Sequence, residues 1–136
     1  MRAIFILSAI LISTHLFSQK AYTPEKGSKE RTEILNIFRE DFGEEKSSIL
    51  LKVDHFLIKN NWACAYVSPL KNGASYGEPR WGLFQNINGT WTKVKWSQGI
   101  EFNDDFELID LPQKNSRIAH LIVNKYPQCS MEIFGN

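Results

Sequence analysis

Residues 49–68 read ILLKVDHFLIKNNWACAYVS, and this stretch decides the fold. It contains two apolar runs rich in β-branched and aromatic residues, which are the residue types that favour strands. The runs meet at Lys59-Asn60-Asn61, and the second ends before Pro69, because proline has no amide to donate to a strand ladder. We therefore predict two adjacent strands at the centre of a sheet whose two faces are both partly covered.

The first 18 residues have the pattern of a secretory signal peptide. Arg2 is followed by an apolar run over residues 3–12, which is the length of a signal-peptide core. A membrane anchor is the competing interpretation, but the run ends near Phe17 and is shorter than the roughly 20 residues that span a bilayer. We predict cleavage after Ser18 and a secreted or periplasmic protein. No cysteine lies near the cleavage point, so no lipid anchor is expected.

Residues 19–136 are predicted to form one α+β domain, because a chain of this length buries one core but not two. The whole sequence has 16 basic and 15 acidic residues, and without Arg2 the two counts are equal. A chain without excess positive charge does not favour nucleic acid, and it has no electrostatic attraction to anionic membranes. After cleavage no segment is expected to span a membrane.

A helix is predicted over residues 29–42. Ser28 can cap its first free amides, and Gly43 ends it. Its apolar side chains recur at helical spacing and should pack on the sheet; they are Ile34, Leu35, Phe38 and Phe42. Acidic residues are concentrated at its C-terminal end, where the helix dipole disfavours them, so fraying is expected there.

Two further strands are predicted over residues 80–87 and 90–97, on either side of Asn88-Gly89. Asparagine followed by glycine is the strongest short hairpin signal, because both residues accept a positive φ. The segment 101–110 is acidic and lacks the spacing of a calcium loop, so a solvated loop is the preferred interpretation. A second helix should begin after Ser116 and end at Pro127, and the apolar tail that follows should pack against the domain.

Cys64 and Cys129 are the two cysteines of the chain. In an oxidising compartment one disulfide is the default expectation, and it would join the tail to the sheet. A catalytic thiol or a metal pair is the alternative. No nearby CxxC or HxxxH pattern supports that alternative, so no metal site is predicted.

The order of helix, four strands and helix resembles the cystatin-like and nuclear-transport-factor-2-like α+β folds. Four segments are also similar to a set of small, uncharacterised exported bacterial proteins; they are residues 27–35, 62–67, 89–94 and 129–134. The predicted fold is therefore α+β, with an N-terminal helix packed on a four-stranded antiparallel meander, a C-terminal helix and a tail attached by the expected disulfide. Enzymes of the nuclear-transport-factor-2-like class use an Asp-His or a Tyr-Asp pair. Asp54 and His55 are adjacent in a strand and should therefore point to opposite faces, so no catalytic residue carries over. His55 is expected to be a hydrogen-bonded core or edge residue.

No sequence motif for catalysis or for a cofactor is present, so the preferred function is a small binding or inhibitory module that acts outside the cytoplasm. The alternatives are a structural, envelope-associated domain and a small-molecule enzyme of the nuclear-transport-factor-2-like class. The loop over residues 70–81 is long, and long loops often carry function. We predict that it contacts a protein or envelope component through four side chains that suit interfaces. They are Lys71, Tyr76, Arg80 and Trp81.

Overall fold

The two runs of residues 49–68 form an antiparallel hairpin, as predicted, but the first of the two strands lies at the edge of the sheet and not at its centre. Strand β1 (Leu50–Lys59) and strand β2 (Trp62–Lys71) are joined by Asn60 and Asn61, whose φ angles are 52° and 65°. Consecutive residues with positive φ match the right-handed twist of the flanking strands. These features come from a computed structural model that describes residues 19–101 and 110–136. The predicted signal peptide and most of the acidic segment lie outside the described residues.

The sheet has five strands, so the prediction of a four-stranded meander is wrong. After β2 come β3 (Ala74–Ser75), β4 (Arg80–Ile87) and β5 (Thr90–Lys93). The antiparallel order is β1-β2-β4-β5, and β3 pairs with the end of β2. The additional strand forms because Asn72 and Gly73, with φ angles of 51° and 78°, turn the chain back. The same Asn-Gly sequence with positive φ predicts the β4–β5 hairpin at Asn88-Gly89, and the structure confirms that hairpin.

Strand β2 continues through Pro69, although proline was expected to end it. Pro69 lies opposite Leu51 of β1, and its side chain is fully buried. The proline is tolerated because β4 pairs with β2 only as far as Val67, so no β4 carbonyl needs an amide at position 69. The Pro69 carbonyl accepts the Tyr76 amide at 2.9 Å, which holds the residues after β3 against β2.

Helix α1 (Lys29–Glu40) covers one face of the sheet. The Ser28 side chain accepts a hydrogen bond from the Arg31 amide at 3.3 Å, which confirms the predicted cap. Ile34, Leu35 and Phe38 are buried against the sheet, and the Phe38 ring meets Phe84 edge-on at a centroid distance of 5.3 Å. The helix ends two residues before the predicted boundary, and a 3₁₀ helix (Gly43–Ser48) follows it.

Helix α2 (Arg117–Lys125) and the tail after it cover the opposite face. Ser116 caps α2 by accepting the Ala119 amide at 3.2 Å, and Ile118, Ala119 and Ile122 are buried. A short 3₁₀ helix (Met131–Ile133) carries the buried Ile133 and is followed by the buried Phe134. The sheet therefore lies between two helical layers, which differs from the predicted arrangement of one helix held in a curved meander.

Cys64 and Cys129 are free cysteines, so the predicted disulfide is wrong. Both thiols are buried in the core between the sheet and α2. Burial raises the pKa of the Cys64 thiol far above its usual range, and nearby Cys129 adds to the effect. Burial also raises the pKa of Cys129 to about 12. The thiolate is the reactive form, so these environments suppress cysteine chemistry.

Noncovalent contacts hold the tail. His55 Nε2 lies 2.8 Å from the Ile133 carbonyl oxygen, as expected for a hydrogen-bonded histidine, and Lys59 Nζ lies 3.0 Å from Glu132 Oε2. The Gly135 amide donates to the Pro112 carbonyl at 3.0 Å. Together with the burial of Phe134, these contacts fix the tail without a covalent link.

Both thiols should resist alkylation in the native protein, because each is buried and protonated. Iodoacetamide should leave the native mass unchanged and add two carbamidomethyl groups after denaturation without reductant. The measurement is intact mass. A native protein that labels as fast as the denatured one would contradict the burial, and a denatured protein that needs reductant before labelling would contradict the free thiols.

No helix within the two described ranges is both long enough and apolar enough to cross a membrane.

Candidate functional site

Three of the four predicted contact residues come together on the α1 face of the sheet. Lys71 lies at the end of β2, Tyr76 follows β3, and Arg80 begins β4. Each meets the segment just after α1. We call this group the hairpin cluster, and it consists of Asp41, Phe42, Glu45, Lys71, Tyr76 and Arg80.

Glu45 holds one half of the hairpin cluster. Its Oε2 lies 3.1 Å from Lys71 Nζ, and the same oxygen accepts a hydrogen bond from the Tyr76 hydroxyl. The Lys71 ammonium also lies 5.1 Å from the centroid of the Tyr76 ring. The Tyr76 hydrogen bond, followed by Lys71, lowers the pKa of Glu45, and the bond to Glu45 raises the pKa of Tyr76. Glu45 is therefore ionised and Tyr76 protonated at neutral pH.

Asp41 and Phe42 hold the other half. The Arg80 guanidinium lies 4.7 Å from the centroid of the Phe42 ring, and its NH1 lies 3.6 Å from Asp41 Oδ2. The Phe42 and Tyr76 rings are 6.2 Å apart and tilted, so the two halves touch. These groups are partly exposed, and ion pairs of this kind add little stability individually. Their effect is to orient the hairpin.

Trp81 does not join this cluster, because it lies on the other face of the sheet. Neighbouring residues of a strand point to opposite faces. Arg80 faces α1, and Trp81 is 8% exposed in the core below α2, where its ring stacks on Trp96 at a centroid distance of 5.0 Å. A partner on the hairpin side would not reach Trp81.

The acidic residues after α1 are the part of this cluster that the sequence interpretation did not assign. Asp41 caps the end of α1 and Glu45 lies in the 3₁₀ helix that follows, so both carboxylates belong to the short segment just after α1. The helix dipole predicts only fraying at this end. The contact could have been predicted from charge alone, because acidic residues follow the helix and the predicted loop carries the basic residues Lys71 and Arg80.

Asp54 and His55 lie on the same face of the sheet, contrary to the expectation from strict alternation. The pairing of β1 with β2 shifts register between Val53 and His55, so Asp54 is an extra residue in the strand. Val53 and Phe56 both pack in the core below α1, which leaves the two residues between them on the other side. A bulge of this kind re-aims side chains.

Both side chains of this bulge make structural contacts. Asp54 Oδ2 accepts the Ser68 hydroxyl at 2.6 Å, and Asp54 Oδ1 lies 3.0 Å from Lys52 Nζ. The Ser68 hydrogen bond is the main reason that the pKa of Asp54 is lowered. His55 contacts the Ile133 carbonyl. Sharing a face therefore does not give Asp54 and His55 a hydrogen bond to each other.

In the ranges 19–101 and 110–136, no group of three or more His, Cys, Asp or Glu side chains is arranged to hold a metal ion. Comparison with protein-family models, with curated proteins and with solved structures finds no match to this chain.

Proposed function

We propose that the protein is an exported binding module and that the hairpin cluster is its contact surface. The observation that carries the proposal is the state of Tyr76. The residue is 36% exposed, yet its hydroxyl contacts Glu45 and one face of its ring contacts Lys71. An aromatic side chain that is both exposed and held in one position loses little entropy on binding.

The composition of the surface supports a protein partner. Tyrosine and arginine are enriched among the residues that dominate interface energetics. Here Tyr76 and Arg80 both contact Phe42, so that two side chains with these properties stand side by side. The cluster also carries both signs of charge, because Asp41 and Glu45 stand beside Lys71 and Arg80. A partner with a patterned polar surface suits it better than a uniformly charged polymer.

Replacing Tyr76 by alanine should abolish capture of the partner with little effect on stability. The side chain is partly exposed, and substitutions at exposed sites usually change stability by about 0.5 kcal/mol or less. Loss of an aromatic anchor costs about 2 kcal/mol or more of binding energy, which is more than a tenfold loss of affinity. The measurement is affinity capture from envelope and secreted fractions by the mature chain, with mass spectrometry of the bound proteins.

The matched control is Ile87→Ala. Ile87 is 51% exposed at the end of β4, next to the Asn88-Gly89 turn, so it is also an apolar side chain on an exposed hairpin. It lies outside the hairpin cluster and should leave capture unchanged. Tyr76→Phe keeps the ring but removes the bond to Glu45, so an intermediate loss would assign part of the effect to orientation. Equal capture by wild type and Tyr76→Ala would show that the hairpin cluster is not the contact surface. Retention of the protein in the cytoplasm would show that it is not exported.

A further inference from the structure

The outer edge of β1 is paired at only one place among residues 19–101 and 110–136. β1 is the first strand of the sheet order, so one of its sides has no neighbouring strand. On that side Ile58 exchanges two backbone hydrogen bonds with Tyr22, at 2.9 Å and 2.8 Å. The segment before α1 therefore begins to pair with β1 as an additional antiparallel strand.

Pro24 explains why this pairing stops. Tyr22 pairs with Ile58, so the next pair of the same type would join Pro24 to Phe56. Proline has no amide to donate. The Pro24 carbonyl accepts a hydrogen bond from Arg31 NH1 at 3.0 Å, so its acceptor is also in use. The segment is thereby drawn towards α1 and away from β1.

A cavity of about 540 Å³ lies where the two segments separate. We call it the β1 groove; it is lined by residues 23–26 of the first segment, by Arg31 of α1, by residues 53–57 of β1 and by Asn136 of the tail. Its volume falls within the usual range of ligand sites, about 300–1,000 Å³. The bulge at Asp54 lies on this wall, and bulges are frequent beside binding sites.

The charges of the groove favour an acidic ligand. Among the acidic side chains of the lining, Asp54 is already paired with Lys52 and bonded to Ser68, and Glu25 is the other one. The cationic side chains are Lys26, which is exposed, and Arg31. Arg31 bonds a neutral carbonyl and lies 5.6 Å from the centroid of the Phe56 ring. A ligand carboxylate beside Arg31 would meet a fixed, planar donor.

We propose that the β1 groove binds an extended acidic peptide as an added strand. The peptide backbone pairs with the outer edge of β1 along residues 53–57, and an acidic side chain of the peptide contacts Arg31 and Lys26. Addition of a strand to an open sheet edge is a common mode of peptide recognition, in which main-chain hydrogen bonds supply affinity and side chains supply selectivity. This site shares no residue with the hairpin cluster and does not depend on the function proposed for that cluster.

The test uses a short blocked peptide of alternating valine and threonine that carries glutamate. Two matched peptides accompany it, one with lysine in place of glutamate and one with N-methyl groups on alternate backbone amides. The acidic peptide should shift the NMR amide signals of residues 53–57 and slow hydrogen exchange of the Phe56 amide, which faces the same outer side as the Ile58 amide. The lysine peptide and the N-methylated peptide should bind at least about tenfold more weakly, because the first has the opposite charge and the second lacks backbone donors.

Charge-reversal variants test the groove from the side of the protein. Lys26→Glu should weaken binding of the acidic peptide about fivefold or more, because an attraction becomes a repulsion. Lys20→Glu is the matched control, since it makes the same charge change in the same segment but lies outside the groove lining. Both positions are exposed, and circular dichroism should show the same fold for both variants.

Three results would overturn the proposal. Equal binding of the acidic and lysine peptides would show that the groove does not select for negative charge. Equal binding of the N-methylated peptide would show that the strand edge is not used. The third is protection of residues 53–57 without peptide that increases with protein concentration. It would assign the edge to a second copy of the chain, and analytical ultracentrifugation would detect that association directly.

Discussion

Replacing Phe38 by alanine should lower the free energy of unfolding by about 3–5 kcal/mol, the usual cost of truncating a buried phenylalanine. Phe38 is 1% exposed and lies edge-on to Phe84. Its ring also faces Gly82, where an added Cβ would lie 2.6 Å from Phe84 and 3.3 Å from Phe38. The glycine offers no side chain to fill the cavity, so relaxation around the site should be limited.

The measurement is urea denaturation followed by tryptophan fluorescence. A loss of this size is a large share of the roughly 5–15 kcal/mol that stabilises an ordinary domain. Thr32→Ala is the control, because Thr32 is exposed on the same helix and its substitution should change stability by about 0.5 kcal/mol or less. A loss below about 1 kcal/mol for Phe38→Ala would show that α1 does not pack as described.

Replacing Phe134 by alanine should cost a similar amount, about 3–5 kcal/mol, on the opposite face of the sheet. Phe134 is fully buried in the core that contains Ile122 and Ile133. With no disulfide present, the tail is attached through buried apolar side chains, of which Phe134 is the largest. The control is Asn124→Ala, an exposed position on α2. Unchanged stability of Phe134→Ala would show that this ring does not pack in the core as described.

The two phenylalanines belong to different cores, because the sheet separates them. The milder substitutions Phe38→Leu and Phe134→Leu should therefore have additive effects, within about 0.5 kcal/mol, in a double variant. A deviation above about 1 kcal/mol would indicate that the sheet transmits strain between its faces.

Local chemistry accounts for the parts of the fold that could be predicted. Ser28 and Ser116 each cap a helix, because a short hydroxyl side chain can accept one of the first free amides. Asn88-Gly89 forms a hairpin because both residues tolerate a positive φ. Asn72-Gly73 carries the same signal. The sequence nevertheless predicts one long loop over residues 70–81, because the strand that follows the turn has only two residues.

The candidate site was predictable in part. Lys71, Tyr76 and Arg80 do lie together, because the β2–β3 turn brings positions far apart in a loop to one edge. Trp81 does not, since the strand that begins at Arg80 sends alternate residues to opposite faces. Trp81 belongs to β4 because β4 pairs with β2 from Arg80 onwards. A single sequence does not specify where that pairing begins.

The sequence by itself determined the turns, the caps and the apolar faces, because each depends on residues close together in the chain. The tertiary structure decided three features that depend on distant residues. The bulge at Asp54 arises from a shift in the pairing register of β1 and β2, and it places Asp54 and His55 on one face. The carboxylates of Asp41 and Glu45 meet cations that only the sheet brings near. Cys64 and Cys129 occupy one core as free thiols. A disulfide requires a particular separation and direction of two Cβ atoms, and packing rather than local sequence sets both.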